Sequence, residues 1–461
     1  DFLGLRTLTT LERARQLVEK SSGRKIDLAN VDLTDAKVYE VFQRGDTKGI
    51  FQFESGGMRD VILRMRPNRI EDLIAANALY RPGPMEYIPD YVARKHGQPW
   101  TTPHPIMTEV LQETYGIMVY QEQVSRLVNR LGGIELKQAF RLAKAISKKK
   151  TDMIEAMRAP FVEGCERNGV RAETAQQVFE DILKFGGYAF NKAHSTGYAI
   201  VAYHTAWMKC YFPVEFMAAL MTFEAGDTDK IAEYVDACRE MGISVEPPSI
   251  NRSVLDFAVE KVTAKVSGGT PVAQAPGRKP APSNGKPSPA GGRAQSLAPP
   301  GGHALAIRFG LGAIKGIGGK AVNAAVEERD RGGEYKSLFD FCNRMDLTCI
   351  NRAGIEALIC AGAFDCTGAM RKGMFDAVEG AIAAGQTAQR DRRMGQMSMF
   401  GEADDAADNT IAGPTGMSAE WSEAEMLARE RAAMGLYITR HPLASCSKLL
   451  AACATATTVD L

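Results

Sequence analysis

At 461 residues the chain is long enough for roughly two to four domains, each with its own core. A formal net charge of +1 and a sequence pI near 7.7 exclude a global field that would gather nucleic acid or an anionic membrane, so any polyanion must be met by local clusters. The nine cysteines follow no metal-site spacing, no run approaches twenty apolar residues and no signal peptide is visible, which predicts free thiols in a reducing, cytoplasmic setting with no membrane partner.

The chain opens on Asp1 and an apolar "DFLGL" that reads as the middle of a fold, so it is expected to be a fragment. Thr9 to Lys20 has helical composition, and Gly23 is its expected stop. "DTKGIFQFES", residues 46 to 55, alternates around Ile50, Phe51 and Phe53 and reads as a short strand or an extended turn. In "ANALYRPGPMEYIPDYV" two prolines and a glycine fix an irregular loop around Arg81. From about Tyr120 to Met241 the pattern is helical, with stops at "LGG", "RNG" and "FGG". Residues 267 to 302 carry eight glycines, eight prolines, four cations, no acid and no aromatic residue. Such a segment cannot build a core and is expected to be a disordered linker or insertion. Beyond it come a Gly-punctuated region to about Asp365, a helical stretch to Arg393, an acidic tail and one more helix over Ala419 to Ala433.

Four places could carry chemistry. "KQAFRLAKAISKKK", residues 137 to 150, has six cations and no acid. At helical spacing Arg141, Lys144 and Lys148 share a face, while Ala139, Leu142, Ala145 and Ile146 can pack elsewhere. A row of like charges repels itself unless water or an anion relieves it, so a solvated face and an anion site both remain open. "GGYAFNKAHSTGY", residues 186 to 198, sets Lys192, His194 and Tyr198 before a long apolar run. Gly186 and Gly187 would let backbone approach a ligand, the lysine offers a point charge to phosphate, and the tyrosine offers a ring to a base or sugar. A plain helix start explains the same residues.

"GLGAIKGIGGKAVNAAVEER", residues 310 to 329, places the turn Gly316-Ile317-Gly318 before a helix starting near Lys320. That is a helix-hairpin-helix pattern, whose glycines let backbone N–H groups reach a DNA phosphate, with Lys315 and Lys320 adding charge. "LICAGAFD", residues 358 to 365, reads as part of a second, degenerate hairpin. In "GQMSMFGEADDAAD", Gln396, Met399 and Phe400 form a short amphipathic peptide in an acidic segment, which suggests docking to a partner.

Taken in order, "DFLGLRTLT", "GIFQFES", "LYRPGPM", "TYGIMVYQEQV", "FNKAHSTGYA", "FPVEFMAALMT", "GAIKGIGG" and "GLYITRHPL" closely resemble the alpha (polymerase) subunits of bacterial DNA polymerase III, the family C replicative polymerases. The resemblance covers all but the 267 to 302 insertion. It implies a mainly α fold with little β structure: a palm edge over 1–25, helical fingers over 26–260, the insertion over 261–303, a tandem helix-hairpin-helix region over 304–390, and a clamp-binding segment with the start of the C-terminal region over 391–461. It also implies DNA-directed DNA polymerase activity in the full-length subunit, with this fragment inactive alone.

By the same resemblance Asp1 is the last of three palm carboxylates that hold two Mg²⁺ ions, as metal ligand and catalytic residue, and the upstream pair is absent. Arg81, Arg141, Lys144, Lys148, Lys192, His194 and Tyr198 are implied for the incoming deoxynucleoside triphosphate. Lys315, Gly316, Gly318 and Lys320 are implied for primer-template DNA. Gln396, Met399 and Phe400 match the family's sliding-clamp peptide, and a proofreading exonuclease and a clamp loader are implied as further partners. One departure stands out: the family's fingers helix reads close to D-x-L-R-R-A-M-G-K-K-K, and the first arginine of its pair is Ala143 here. Two alternatives remain at this stage. One is a non-catalytic DNA-binding, clamp-docking scaffold; the other is an error-prone paralogue of the same family, against which "QMSMF" favours the processive form.

Overall fold

The computed structural model describes residues 4–147, 150–262, 304–393 and 420–440, together with 442–444, 446 and 453. Asp1, Lys148, Gln396, Met399 and Phe400 lie outside these residues, as does the 267 to 302 segment. The described chain is mainly α, as expected, with one small sheet. It divides into two compact units: Asp1–Leu11 with Asp27–Tyr211, and Glu12–Ile26 with Phe212–Leu461.

The helix read from Thr9 to Lys20 is α1, Arg6–Ser22, and it stops at Gly23, where φ is +72°. The first unit holds α2 (Ala36–Gln43), α3 (Gly56–Met65), α4 (Ile70–Leu79), α5 (Ile88–Lys95), α6 (Pro105–Leu111), α7 (Gln121–Arg130), α8 (Leu136–Ser147), α9 (Thr151–Arg167), α10 (Ala172–Gly186) and α11 (Lys192–Tyr211), while α1 from Glu12 onward falls in the second. Short polar caps start several of them. Asp35 accepts from the Lys37 amide at α2, and Ser55 accepts from the Met58 amide at α3.

Two apolar cores form in this unit. One joins α2, α3, α4 and α11, with the Tyr39 and Tyr203 rings 5.4 Å apart. The other joins α7 to α10 around Phe161 and Phe179, also 5.4 Å apart. Burying a side chain of that size contributes about 1.5–3 kcal/mol. In the second core a Cβ on Gly164 would stand 1.7 Å from the Gly132 carbonyl oxygen. Glycine there lets α9 press against the backbone that ends α7. The "DTKGIFQFES" stretch is a turn and not a strand. Ile50 and Phe53 are both fully buried, Gly49 and Gln52 take positive φ, and Lys209 Nζ donates to the carbonyls of Asp46 and Lys48 at 2.8 Å. The buried residues are three apart, a turn's spacing rather than a strand's.

The second unit holds α12 (Pro213–Phe223), α13 (Thr228–Glu240), β1 (Val245–Glu246), β2 (Ala258–Val262), β3 (Ala304–Arg308), α14 (Gly319–Gly332), α15 (Leu338–Arg344), α16 (Arg352–Cys360), α17 (Arg371–Arg393) and α18 (Glu423–Met434). Asp227 caps α13, its side chain accepting from the Asp229 and Lys230 N–H groups. The sheet order is β1-β3-β2, with β1 parallel and β2 antiparallel to β3. Val262 and Ala304 are cross-strand partners. Val262 and Ala304, the described residues on either side of the Pro/Gly-rich segment, therefore stand side by side, close enough for a loop of any length to join them. Lengthening such a loop costs little, because closure entropy grows only slowly with length.

Candidate nucleotide and DNA interface

The start of α11 is built by four segments of the first unit. Phe190 forms a parallel bridge with Tyr120: its N–H donates to the Val119 carbonyl at 3.0 Å, and its own carbonyl accepts from Gln121 N–H at 2.9 Å. Asn191 then caps the helix, its Oδ1 accepting from His194 N–H at 2.8 Å. Ser195 Oγ donates to the Ile74 carbonyl at 2.7 Å, which pins the first turn to α4. The "RPGP" loop closes over the other side. Arg81 donates to the Tyr188 carbonyl at 2.9 Å and to the Ala78 carbonyl at 3.0 Å, and Gly83, at φ +99°, lies against the Tyr188 ring.

Around this frame the structure brings Arg81, Lys192, His194 and Tyr198 together. The Arg81 guanidinium sits 4.2 Å from the centroid of Phe190, Phe190 meets His194 edge-on at 5.6 Å, His194 meets Tyr198 at 4.5 Å, and Tyr198 meets Phe51 at 5.2 Å. The result is a continuous aromatic run with a cation at one end. Burial pushes the Arg81 guanidinium pKa down. Stacking of this kind offers a base a flat face and a phosphate a fixed positive charge.

Lys192 does not stand free. Its Nζ donates to Glu113 Oε2 at 2.6 Å and lies 5.6 Å from the centroid of the Tyr120 ring. Its backbone N–H donates to Glu122 Oε2 at 3.0 Å, while Glu122 Oε1 accepts from Asn191 Nδ2 at 2.9 Å. Two carboxylates thus occupy positive groups that a phosphate would seek. Nothing local announces them, since Glu113 and Glu122 lie 79 and 70 residues before Lys192 in the chain.

Arg141 and Lys144 are exposed on α8, and among the described residues neither has an ion-pair partner. Ala139, Leu142, Ala145 and Ile146 are buried, as the helical spacing requires. So is Ala143, which packs within the second core. Its position faces inward here, which leaves Arg141 and Lys144, with Lys137 one turn earlier, as exposed cations of that helix available to an anion. One expectation is corrected. Gly186 does not open the backbone to a ligand: a Cβ there would lie 2.7 Å from the Ile146 side chain, so the glycine serves the packing of α10 against α8.

In the second unit the turn before α14 has the expected form. Leu311–Ala313 is a single 3-10 turn, Gly316 takes φ +81°, and Gly318 is the N-cap of α14, with no side chain to cap it. Lys315, Gly316, Gly318 and Lys320 are all exposed, and a Cβ at either glycine would meet nothing within 4 Å. Ala321 N–H donates to the Gly318 carbonyl at 3.0 Å, and among the described residues the Gly319 and Lys320 N–H groups are left open to an approaching oxyanion. The stretch 358 to 365 is different. A Cβ on Gly362 would lie 2.3 Å from Arg371 Nη2, and that buried guanidinium bonds Asp365 at 2.6 Å and Glu430 at 3.2 Å. This second glycine turn is filled from inside.

The described residues hold no cluster of three or more His, Cys, Asp or Glu able to bind a metal. With Asp1 outside them, they do not make up the implied two-metal site. All nine cysteines are free, and no helix among the described residues is long and apolar enough to cross a membrane.

Residues 7–169 match the model of the bacterial DNA polymerase III alpha subunit finger domain, and residues 242–374 match that of the helix-hairpin-helix motif. The chain belongs to the bacterial DNA polymerase III alpha-subunit family. It is 38% identical to DNA polymerase III subunit alpha of Thermus aquaticus, over 96% of this chain and 33% of the relative. The Vibrio cholerae subunit is 38% identical and the Escherichia coli (strain K12) subunit 36% identical, each over 96% of this chain and 36% of the relative. The chain thus spans about a third of the length of the curated relatives it matches. The α11 mouth lies beyond the finger-domain match but inside this longer similarity.

Proposed function

We propose that the chain is the fingers and hairpin portion of a cytoplasmic, template-directed DNA polymerase, which adds deoxynucleotides to a primer 3′ end with release of pyrophosphate. The observation that carries this reading is the convergence of Arg81, Lys192, His194 and Tyr198 at the start of α11 in a chain of this family. Phosphoryl transfer asks a protein mainly for positioning and charge neutralisation. Lys192 supplies the point charge to a triphosphate, with Arg141, Lys144 and Lys148 as further phosphate contacts. Tyr198 and His194 supply a surface for the base or sugar, and Arg81 holds the adjoining loop. Lys315, Gly316, Gly318 and Lys320 grip the duplex backbone without reading its sequence.

Asp1 is assigned as one ligand of two Mg²⁺ ions in the complete subunit. Such ions lower the cost of charge on the attacking and leaving oxygens. In a complete subunit Asp1→Asn abolishes nucleotide incorporation and leaves primer-template binding nearly intact, because a metal ligand is lost and not a DNA contact. Single-turnover extension beside a DNA-binding isotherm tests this, and near-normal incorporation with Mg²⁺ overturns the assignment.

Gln396, Met399 and Phe400 are proposed to dock on a sliding clamp, the two hydrophobic side chains filling an apolar pocket that the unbranched methionine fits easily. A peptide spanning residues 391 to 405 is expected to bind a bacterial clamp, and Met399→Ala with Phe400→Ala to cost roughly 1.5–3 kcal/mol per anchor. Equal binding by the doubly substituted peptide would remove the clamp from the proposal. A clamp loader and a proofreading exonuclease are further proposed partners of the complete subunit.

A further inference from the structure

The Lys192–Glu113 pair has a feature that ordinary ion pairs lack. Glu113 gives only Oε2 to the lysine; its Oε1 is buried and, among the described residues, has no hydrogen-bond partner. Tyr120, fully buried at the head of α7, has a hydroxyl that is also buried and, among the described residues, without a hydrogen-bond partner. Lys192 Nζ bonds the first residue and lies 5.6 Å from the ring centroid of the second, so an orphaned acceptor and an orphaned donor flank one ammonium group. Buried polar groups are ordinarily satisfied, so two such orphans at one spot mark a bonding arrangement that is incomplete.

We infer that Glu113 and Tyr120 form a partner-exchange device, in which an arriving polyphosphate takes Lys192 Nζ from Glu113 and the Tyr120 hydroxyl then donates to the carboxylate left behind. This rests on reading the start of α11 as the triphosphate site. Without the exchange, an anion that captured Lys192 would abandon a half-buried carboxylate beside its own negative charge. With it, Tyr120 supplies the hydrogen bond that the lysine withdraws. Glu113 thereby sets the resting position of the lysine and competes with the incoming anion for it. Both are positioning residues, since neither touches the nucleotide. The phenol is suited to the part: burial first, and then the charge of Glu113, push its pKa well above the ordinary value, so it is always a donor.

The test is calorimetric titration of the full 461-residue chain with sodium tripolyphosphate, in parallel with thermal melts that confirm folding of every variant. Lys192→Ala weakens binding. Glu113→Gln, which removes the competing charge, tightens binding roughly two- to fivefold, the span expected for breaking a half-exposed ion pair. Tyr120→Phe weakens binding in the wild-type background and has no further effect in a Glu113→Ala background, a coupling that a purely structural tyrosine would not show. If Lys192→Ala weakens binding while Glu113→Gln leaves it unchanged or reduces it, the exchange is overturned and the nucleotide site stands. Equal effects of Tyr120→Phe in both backgrounds also overturn the exchange. If Lys192→Ala binds as the wild type does, the site reading falls and takes the exchange with it.

Discussion

The cations at the start of α11 and those at the first glycine turn are proposed to meet the same chemical group, a phosphate, yet the two regions prepare for it in opposite ways. At α11 the charges are already engaged: Lys192 by Glu113, Arg81 by two carbonyls and the Phe190 ring, and the helix start by Glu122. At the glycine turn Lys315 and Lys320 are exposed, and Gly318 leaves the end of α14 uncapped by any side chain. Engaged charges select for a ligand strong enough to displace their partners and hold it in one geometry. Open backbone donors accept any phosphate that approaches. The difference suits a site that must discriminate and a surface that must not.

The largest expected effect breaks the first region. In a complete subunit Lys192→Ala removes a charge-assisted contact of about 1.5–3 kcal/mol, seen as a raised apparent KM or a lowered rate of single-turnover incorporation. His194→Ala, which removes one ring from a run of four, has a smaller effect. Unchanged incorporation by Lys192→Ala across nucleotide concentrations would reduce the lysine to a structural partner of Glu113.

Next comes the turn itself. Gly316 at φ +81° occupies a region that a β-branched residue enters only with strain, so Gly316→Val costs on the order of 1–3 kcal/mol and displaces the turn. Duplex affinity then falls uniformly across DNA sequences, measured as isotherms on unrelated duplexes, because backbone contacts carry no base information. A changed sequence preference would contradict the phosphate reading. Lys315→Ala and Lys320→Ala each flatten the salt dependence of binding by roughly one unit of slope, and a slope that does not move would show that these lysines face only solvent.

Much of this comparison was legible in the sequence, and its limits have a physical pattern. Local spacing gave the buried face of α8, the stop at Gly23, the turn around Gly316 and the helical stretch before Arg393, since each depends on neighbours within a few residues. What spacing missed are partners brought together by tertiary packing. Glu113 and Glu122 reach Lys192 only because the Tyr120–Phe190 bridge joins segments 70 residues apart. Gly186 reads in the sequence as a glycine that faces a ligand, and residues 358 to 365 as part of a second hairpin, yet Gly186 and Gly362 are both filled by side chains from elsewhere in the fold, Ile146 and Arg371. A glycine announces a close approach without saying what approaches. The "DTKGIFQFES" stretch left a strand and a turn both open for a related reason: the run around Ile50, Phe51 and Phe53 suits either until Ile50 and Phe53, three apart, are seen to be the buried pair.

The smallest expected effect is the sharpest test of the open turn. Gly318 has φ −83° and ψ 148°, ordinary extended backbone, and a Cβ there meets nothing within 4 Å, so a side chain is tolerated. Serine is among the best N-cap residues, and its hydroxyl accepts from first-turn N–H groups. Gly318→Ser should therefore stabilise α14 by a few tenths of a kcal/mol, visible as a slightly raised melting temperature of the chain. The same hydroxyl occupies donors that a DNA phosphate would use, so duplex affinity should fall, modestly and equally on every sequence. A merely structural turn predicts stability and affinity rising together or affinity unmoved. Opposite signs in the two measurements are what a backbone phosphate grip at this turn requires. If duplex affinity of Gly318→Ser equals or exceeds that of the wild type, the first-turn N–H groups of α14 do not hold DNA.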